Sequence, residues 1–538
     1  MKNSMYSRFI LQHVPTILTQ IDRDEHSPTF GSCDRNFWHL KIRDFSSAIL
    51  QQTSLTLALL YSVDFEGNLY YKNPNIYEWC LGTVRFWEKI QLKDGSFNEY
   101  YPNEHGFPPT AFSLFAVAET FKILKLSNSS YVDSMKKTAK YLIENIETKA
   151  LNQEMASICA LYSVYTLTNE DWILKGMKNK LSIILEKQSN EGWFPEYGGA
   201  DFGYLSVTLD MLAEYYWQSK DDRVIKHLNK IVDFVKYFCH PDGSIGGEYG
   251  SRNTTYFLPN GLEVLIQLGN MDAANIKSNL LRKIDTHQYF QNSIDDRYFS
   301  HYVMHSFLRA LQKENHNIDG DFLQLPCFNE HSRYFEECGL FTCKNSKYYM
   351  VVGIKKGGII KVFDDNKEIF TDFGYRIKNN SRYVSVTNWL DEKSNIDINA
   401  NSIRIKGSFT KIKTHIPTPF KHFILRIVAK LAGKQIINLL KKKLIFIDNH
   451  DNVEFDRRII IAEKEINIID HIEGKDKIDK LISANSFSMR HVASGKFFKT
   501  TDLMHKKRLE FSNIKSILIK QRLDLETGRV EIEHEMLG

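Results

Sequence analysis

The densest cluster of polar residues runs from Asn98 to His105, between an Asp-Gly turn at Asp94 and an apolar helical pattern. A loop at a helix N-terminus offers free backbone N–H groups and a positive dipole end, which favour a bound carboxylate. His105 fits a general base, because the unperturbed pKa of histidine lies near neutrality. The alternative is that Asn103 caps the helix and that His105 is an ordinary surface residue.

A second polar cluster, Glu248 to Tyr256, follows a Gly-Gly turn. Arg252 could form a bidentate pair with a ligand carboxylate. Tyr249 or Tyr256 could exchange a proton with the same ligand. Two glycines and three hydroxyl residues also make an ordinary capped turn, so both interpretations of this cluster stay open.

The clusters follow turns that recur about every 50 residues. Asp94-Gly95, Glu191-Gly192 and Asp242-Gly243 each precede small or apolar residues and then an apolar helical pattern. Such a repeat holds two helices of about 15–20 residues, and these hairpins stack because none can bury its apolar face alone. About six hairpins in a ring predict an α/α toroid, an incomplete barrel of helical hairpins, over residues 1–325. The acid-Gly turns would then surround a cleft at one end.

Beyond residue 325 the apolar period changes to two, as in β-strands. Short β-branched or aromatic runs are separated by Gly, Asn and Asp turns without intervening helices, which excludes a parallel α/β sheet. The runs are Lys347–Val352, Gly358–Phe363, Ser402–Lys406, Arg457–Ile461 and Ile466–Ile472. They predict an antiparallel β-sandwich domain over residues 326–538. The linking segment has no flexible spacer, so the two domains should pack closely.

A helical segment near residues 417–446 interrupts the predicted β domain. Its apolar residues at helical spacing are interspersed with Lys430, Lys434, Lys441, Lys442 and Lys443. This pattern is typical of an interfacial helix and predicts weak peripheral contact of residues 420–440 with a membrane. A helix packed across the sandwich, with its lysines in water, would show the same pattern.

Composition limits the function classes. The 538-residue chain is 43% hydrophobic and contains 35 Phe, 26 Tyr and 7 Trp, as sugar-binding clefts often do, although large helical cores also use aromatic rings. The net charge of +5 suits an anionic ligand and falls short of a nucleic-acid binder. The seven Cys and the histidines lack ligand spacing, so we expect no disulfides, no metal and no cofactor.

The sequence contains no recognisable targeting segment. The first 28 residues have no signal-peptide pattern, and no apolar run reaches ~18 residues. This predicts a cytoplasmic protein, with action in the periplasm or at the cell surface left open.

Four stretches resemble one protein family. Ser27 to His39 and Asp94 to Phe107, then Phe455 to Ile459 and Ile468 to Gly474, are similar to the heparinase II/III-like superfamily found among bacterial surface-polysaccharide genes. The likeness covers most of the chain and keeps the order of the motifs. It implies a helical toroid followed by a β-sandwich.

The resemblance also implies a polysaccharide lyase that cleaves a uronic-acid-containing bacterial surface polysaccharide by β-elimination. In such lyases an Asn, Arg or protonated acid neutralises the carboxylate, a His or Tyr removes the C5 proton, and a Tyr protonates the leaving oxygen. Asn103, His105 and Arg252, with Tyr249 or Tyr256, fit these catalytic roles. The family also uses a β-domain histidine, and none of the following is singled out: His415, His422, His450, His471 and His491.

Substrate contacts are expected from polar and aromatic residues of the loops around the cleft. These are Arg35, Asn36, Trp38, His39, Glu99, Tyr101, Glu104, Tyr197, Asp201, Tyr204, Glu248, Asn253 and His301.

Two other functions remain open at the level of sequence. A toroidal glycoside hydrolase needs two carboxylates ~5–9.5 Å apart, and Glu99, Glu104, Asp201 and Glu248 could supply them. A non-catalytic glycan-binding protein of a polysaccharide assembly system is the third class. If His105 were not the base, His301 and His305 would be the next candidates.

Overall fold

The structure, a computed structural model, describes residues 4–284, 294–378, 383–399, 401–413, 416–433, 435–444, 446–485 and 509–537. Helices make up the first part of the chain: α1 (Met5–Leu18), α2 (Arg35–Trp38), α3 (Thr53–Ser62), α4 (Pro74–Lys89), α5 (Phe107–Leu124), α6 (Ser129–Glu144), α7 (Leu151–Thr168), α8 (Asp171–Leu185), α9 (Phe202–Ser219), α10 (Ile225–Val235), α11 (Asn260–Gln267), α12 (Met271–Leu281) and α13 (Tyr302–Lys313).

Six of these helices form a closed inner ring in the order α3, α5, α7, α9, α11 and α13, and α13 contacts α3. Their outer partners are α4, α6, α8, α10, α12 and α1. The predicted toroid is therefore present, but its barrel is closed where the sequence predicted an incomplete one. The N-terminal helix α1 closes it by packing on α13, with Phe9 stacked on Phe307 at 4.1 Å.

The inner and outer helices differ in apolar pattern. Inner helix α5 is buried almost all round, from Phe107 to Phe121. Outer helix α6 buries one face, which includes Met135, Ala139 and Leu142. An all-round apolar helix suits the centre of a toroid, and an amphipathic one suits its surface.

The acid-Gly turns recur for a packing reason. Gly95 has φ +88°, and an added Cβ would lie 2.5 Å from the carbonyl oxygen of Lys137 on α6. Gly192 has φ +109° and would collide in the same way with Lys230 on α10. Only glycine accepts this conformation and this close approach. Each turn thus docks on the outer helix of the next repeat.

The second part of the chain forms two antiparallel sheets. The first, in sequential order, contains β1 (His331–Phe335), β2 (Leu340–Lys344), β3 (Tyr349–Gly353), β4 (Ile359–Phe363) and β5 (Glu368–Asp372). The second contains β6 (Tyr375–Lys378), β7 (Tyr383–Val386), β8 (Asn395–Asn399), β9 (Ser402–Lys413), β10 (His450–Ile461), β11 (Glu465–Ser483), β12 (Glu510–Asp524) and β13 (Val530–Met536). Three of the five predicted apolar runs lie within these strands, and the other two, Lys347–Val352 and Gly358–Phe363, begin one or two residues before β3 and β4.

The first sheet is buried on both faces. Tyr349, Val351 and Phe363 belong to the core of the toroid. Their neighbours in sequence, such as Met350 and Val362, share a second core with the eight-stranded sheet. The order of layers is therefore toroid, first sheet, second sheet.

The predicted helical insertion is a hairpin of two helices, α14 (Pro419–Ala432) and α15 (Gln435–Leu444). Gly433, with φ +51°, follows α14. We call α14 and α15 the helical hairpin. No helix in the described ranges is both long and apolar enough to cross a bilayer.

Candidate active site

The loops that precede the inner helices meet at one end of the toroid, which we call the mouth. Hydrogen bonds link these loops round the ring: Ala48 N to Asn98 O at 2.9 Å, Tyr197 N to Lys149 O at 2.7 Å, Ser251 N to Ala200 O at 2.8 Å, Tyr256 Oη to Tyr302 Oη at 2.8 Å, and Thr53 Oγ1 to Ser300 O at 3.4 Å. All six inner helices therefore begin at the mouth. Their positive dipole ends favour an anionic ligand there.

His105 lies in the mouth loop before α5, with its side chain 27% exposed. Its Nδ1 is 2.7 Å from Asp94 Oδ2 and 2.9 Å from Ser96 Oγ. Burial would raise the pKa of Asp94, but hydrogen bonds from His105 and Ser96 lower it to about 2. An Nδ1–H donated to this carboxylate leaves the Nε2 lone pair for a ligand proton, the arrangement of an oriented general base.

The rest of this loop is held by its own acids. Asn103 has φ +58° and does not cap α5, whose N-cap is Gly106. Glu104 Oε2 accepts the backbone N–H groups of Glu99 and Tyr100 at 2.6 and 2.7 Å. The predicted substrate contact Glu104 therefore braces the loop instead.

Glu99 is the acid of this loop that lies beside Tyr100, which itself interacts electrostatically with Tyr197 and Tyr298. Its carboxyl is hydrogen-bonded to Tyr100, and its pKa is raised to about 8 by burial and by the adjacent Glu104. Burial also raises the pKa of Glu104, to about 7. Tyr101 packs beneath the helical hairpin with its hydroxyl buried, so this second predicted contact is covered.

Arg252 lies over the ring of Tyr197, with 4.7 Å between Cζ and the ring centroid. Its Nε is buried and has no hydrogen-bond partner in the part of the chain that the structure describes. Tyr197 has φ +54°, and its Oη accepts from Gln153 at 3.3 Å. Burial raises the pKa of Tyr197, against the opposing effect of Arg252. The site thus places the Arg252 guanidinium, whose Nε has no partner among the described residues, against the protonated hydroxyphenyl ring of Tyr197.

Two predicted contacts hold the Arg252 loop in place. Asp201 caps α9 and accepts the backbone N–H groups of Arg252 and Thr254 at 3.0 and 3.3 Å. Asn253 Oδ1 accepts from Lys356 Nζ at 2.6 Å. Asp201 and Asn253 are nearly fully buried. They are positioning residues and not the substrate contacts that the sequence predicted.

Glu248 and Tyr249 face the first sheet and not the mouth. Glu248 pairs with Lys361 of β4 at 2.7 Å. The Tyr249 hydroxyl is 2.8 Å from His240 Nε2, and the residue is 2% exposed. The roles predicted for them, substrate contact and proton donor, are corrected accordingly.

A cluster of tyrosines lines the mouth between α9 and α13. Tyr256 is buried, with its hydroxyl 2.8 Å from that of Tyr302. This bond occupies the hydroxyl that the sequence assigned to catalysis. Tyr204 and Tyr298 are half-buried and interact electrostatically with each other. The predicted contact Tyr204 therefore stays at the mouth, whereas Tyr256 forms its floor.

His301 stacks on Tyr298, with 4.3 Å between ring centroids. Burial and the nearby Arg297 lower its pKa to about 3. Its Nδ1 is buried and has no hydrogen-bond partner among the described residues. His305 lies deeper, with Nδ1 3.0 Å from Arg309 and Nε2 3.3 Å from Gln52.

The N-terminal candidates lie on and beside the short helix α2. Trp38 Nε1 donates to the carbonyl of Gln20 at 2.7 Å, so its polar edge points to α1. His39 is exposed and packs on Trp38, while Arg35 and Asn36 are half-buried. In the described structure no hydrogen bond or ion pair joins any of these four residues to Arg252 or His105.

The described histidines proposed from the β domain make no hydrogen bond or ion pair with His105 or Arg252. His471 Nε2 is 2.9 Å from Ser516 Oγ on the outer sheet, and His450 pairs with Asp448 at 3.0 Å. His422 is exposed on α14. His415 and His491 lie outside the described residues. The described residues also contain no group of three or more His, Cys, Asp or Glu side chains that could hold a metal ion.

The helical hairpin crosses the mouth and not the sheets. Arg426 pairs with Asp44 at 2.5 Å, and Lys441 pairs with Glu147 at 2.5 Å. Ala429 and Ile436 pack on Tyr101. A Cβ added to Gly433 would lie 3.7 Å from His105 Cδ2. The hairpin therefore forms one wall of the mouth, beside the proposed base.

Three contributors to the mouth were not predicted. Tyr298 and Tyr302 lie in or next to a polar, aromatic-rich stretch that continues the repeat, and this periodicity was a usable signal. Lys356 donates to Glu248 O and Gly250 O, both at 2.7 Å, in addition to Asn253. Nothing in its sequence surroundings indicates that role.

Residues 77–258 match the family model described as the ulvan lyase N-terminal domain. Chondroitin AC lyase of Streptomyces coelicolor A3 aligns at 10% identity over 90% of this chain and 68% of its own, with a TM-score of 0.57. A Paenibacillus xanthan lyase aligns at 12% identity over 89% of this chain and 46% of its own, with a TM-score of 0.54. This chain therefore spans about half the length of that lyase. Heparinase III aligns at 11% identity over 96% of this chain and 84% of its own, with a TM-score of 0.46.

No curated protein sequence matches. The predicted resemblance to heparinase-like polysaccharide lyases is confirmed.

Proposed function

We propose that the protein is a polysaccharide lyase that cleaves a uronic-acid-containing polysaccharide by β-elimination, and the match of residues 77–258 to the ulvan lyase N-terminal domain supports this proposal. The observation that carries the proposal is Arg252, whose buried Nε lacks a partner within the described residues at a mouth ringed by helix N-termini. A uronate carboxylate completes this site. The bacterial surface polysaccharide inferred from the sequence resemblance is one such substrate.

The chemistry requires charge compensation before proton transfer. The C5 proton of a uronate is weakly acidic, and its removal builds further negative charge next to the carboxylate. Arg252 and the helix dipoles offset that charge in the transition state. His105 Nε2, oriented through Nδ1 by Asp94, takes the proton. The Tyr197 hydroxyl, protonated because burial raises its pKa, donates to the leaving oxygen.

The hydrogen bonds and the ion pair that occupy the acidic residues favour a lyase over a glycoside hydrolase. A hydrolase needs two carboxyl groups facing the scissile bond. Of the four candidates, Glu104 and Asp201 are bonded to backbone N–H groups, and Glu248 is paired with Lys361. Glu99 alone keeps its carboxyl beside a mouth tyrosine.

Kinetics of single variants test the assignment. We expect Tyr197→Phe and His105→Ala each to lower kcat by about 10²–10⁴, the usual contribution of a positioned proton-transfer group. Arg252→Ala should lower kcat and also raise KM, because it removes a ground-state contact as well. Tyr249→Phe and Tyr256→Phe are matched controls from the same loop and should keep their activity if the protein folds.

Two outcomes would contradict the assignment. Full lyase activity in both His105→Ala and Tyr197→Phe would exclude these proton-transfer roles. Loss of activity in His301→Ala, together with activity in His105→Ala, would move the base to α13.

A further inference from the structure

The outward side of the helical hairpin carries an apolar stripe. Phe420 and Leu431 are 70% and 82% exposed, and the residues between them at helical spacing are also exposed. These are Phe423, Ile424, Ile427 and Val428. The stripe is separate from the inward face, where Ala429 and Ile436 pack on Tyr101. The hairpin is thus apolar on two sides, and among the residues that the structure describes only the inward side is covered.

The charged residues of the hairpin have one sign, because residues 416–445 contain neither Asp nor Glu. Lys421 and Lys430 are exposed on α14, whereas Arg426 is exposed but pairs with Asp44 of the toroid. An apolar stripe flanked by basic side chains without acidic ones is the pattern of a helix that lies in the headgroup region of an anionic bilayer. A protein partner would need its own acidic and apolar surface of matching shape, and nothing in the chain points to one.

We infer that the outward face of α14 docks the protein on an anionic lipid surface. The inward face of the same hairpin packs on Tyr101 and lies beside His105, so docking places the mouth next to the bilayer. This goes beyond the proposed function, since cleavage of a dissolved polysaccharide does not require it. Lys441, which the sequence pattern placed among the membrane-facing lysines, instead pairs with Glu147. The side chains of Lys442 and Lys443 lie outside the described residues.

Vesicle co-sedimentation of the full chain tests the inference. Vesicles of phosphatidylcholine mixed with phosphatidylglycerol should bind the protein, and added salt should weaken that binding because it screens the basic residues. Vesicles of phosphatidylcholine alone should bind it at least about tenfold more weakly, since the electrostatic attraction is lost.

A matched pair of variants locates the surface. Leu431→Asp should lower binding to the mixed vesicles at least about tenfold, because it places a carboxylate on the apolar stripe. Leu69→Asp should leave it unchanged, since Leu69 has the same exposure of 82% but lies between α3 and α4. Both variants should cleave dissolved polysaccharide like the wild type, so failure here is separable from failure of the proposed function.

Any of three results overturns the inference. The first is the absence of binding to anionic vesicles, and the second is binding that Leu431→Asp and Leu69→Asp weaken equally. The third is a dimer of the free wild-type protein, detected by sedimentation velocity, that Leu431→Asp dissociates. The stripe would then be an interface between two copies of the chain.

Discussion

Replacing Asp201 tests whether one carboxylate holds the loop that carries Arg252. Its Oδ2 accepts the N–H groups of Arg252 and Thr254, and its Oδ1 accepts from Tyr204 N at 3.3 Å and from the Thr254 hydroxyl. The residue is 1% exposed, so water cannot replace a lost acceptor. In Asp201→Asn the Thr254 hydroxyl can turn to accept from the new amide. One buried N–H then stays unpaired, at a cost of about 1–3 kcal/mol.

Asp201→Ala removes all four bonds and should cost about 3–5 kcal/mol, the range in which broken buried networks fall. Denaturant unfolding followed by circular dichroism should therefore rank the wild type above Asp201→Asn and the latter above Asp201→Ala. Activity should fall at least about tenfold in both variants, because Arg252 loses its anchor. The exposed Asp222→Asn is the control. An Asp201→Ala protein within about 0.5 kcal/mol of the wild type would refute the reasoning.

Three further predictions concern neighbouring groups. Asp94→Asn should lower kcat at least about tenfold, because His105 loses its orienting partner. Since the folded pKa of Asp94 is about 2 and its usual value is 3.8, its stabilising effect is present above pH 3.8 and is lost as the pH falls through 2. The pH dependence of stability has the opposite sign for Glu99, because its pKa of about 8 lies above the usual 4.5. Its contribution to stability is lost as the pH rises through 8. Thermal unfolding at pH 9 should therefore show that Glu99→Gln is more stable than the wild type. Lys356→Met removes three buried hydrogen bonds, to Glu248 O, Gly250 O and Asn253 Oδ1, and should lower the free energy of unfolding by about 2–5 kcal/mol, as measured by denaturant titration.

The toroid was predictable because its repeat depends on residues that are close together in the sequence. Gly95 and Gly192 occupy positions where a side chain would collide with the next outer helix, so the acid-Gly signal recurs with the hairpins. Closure of the ring was not predictable, because it depends on contacts such as Tyr6 Oη to Glu263 Oε1, which joins residues 257 positions apart. No local pattern marks α1 as the outer partner of α13.

The site was predictable in part. Residue types and loop positions predicted that His105 and Arg252 lie in loops before inner helices, and the structure places both in mouth loops. The tyrosines could not be ranked from sequence, because the difference between Tyr249 and Tyr197 lies in burial. Tyr249 is covered by the first sheet and bonded to His240, whereas Tyr197 lies beneath Arg252 at the mouth. Such burial depends on how distant parts of the chain pack.

Cleavage of a uronic-acid polysaccharide in water labelled with heavy oxygen tests the central claim most directly. Elimination forms a double bond and adds no water to the new ends, whereas hydrolysis adds one water oxygen at each cleavage. We expect products that absorb in the ultraviolet and that contain no heavy oxygen when their masses are measured before the new reducing ends exchange oxygen with the solvent. Saturated products that carry the label would contradict elimination and establish a hydrolase.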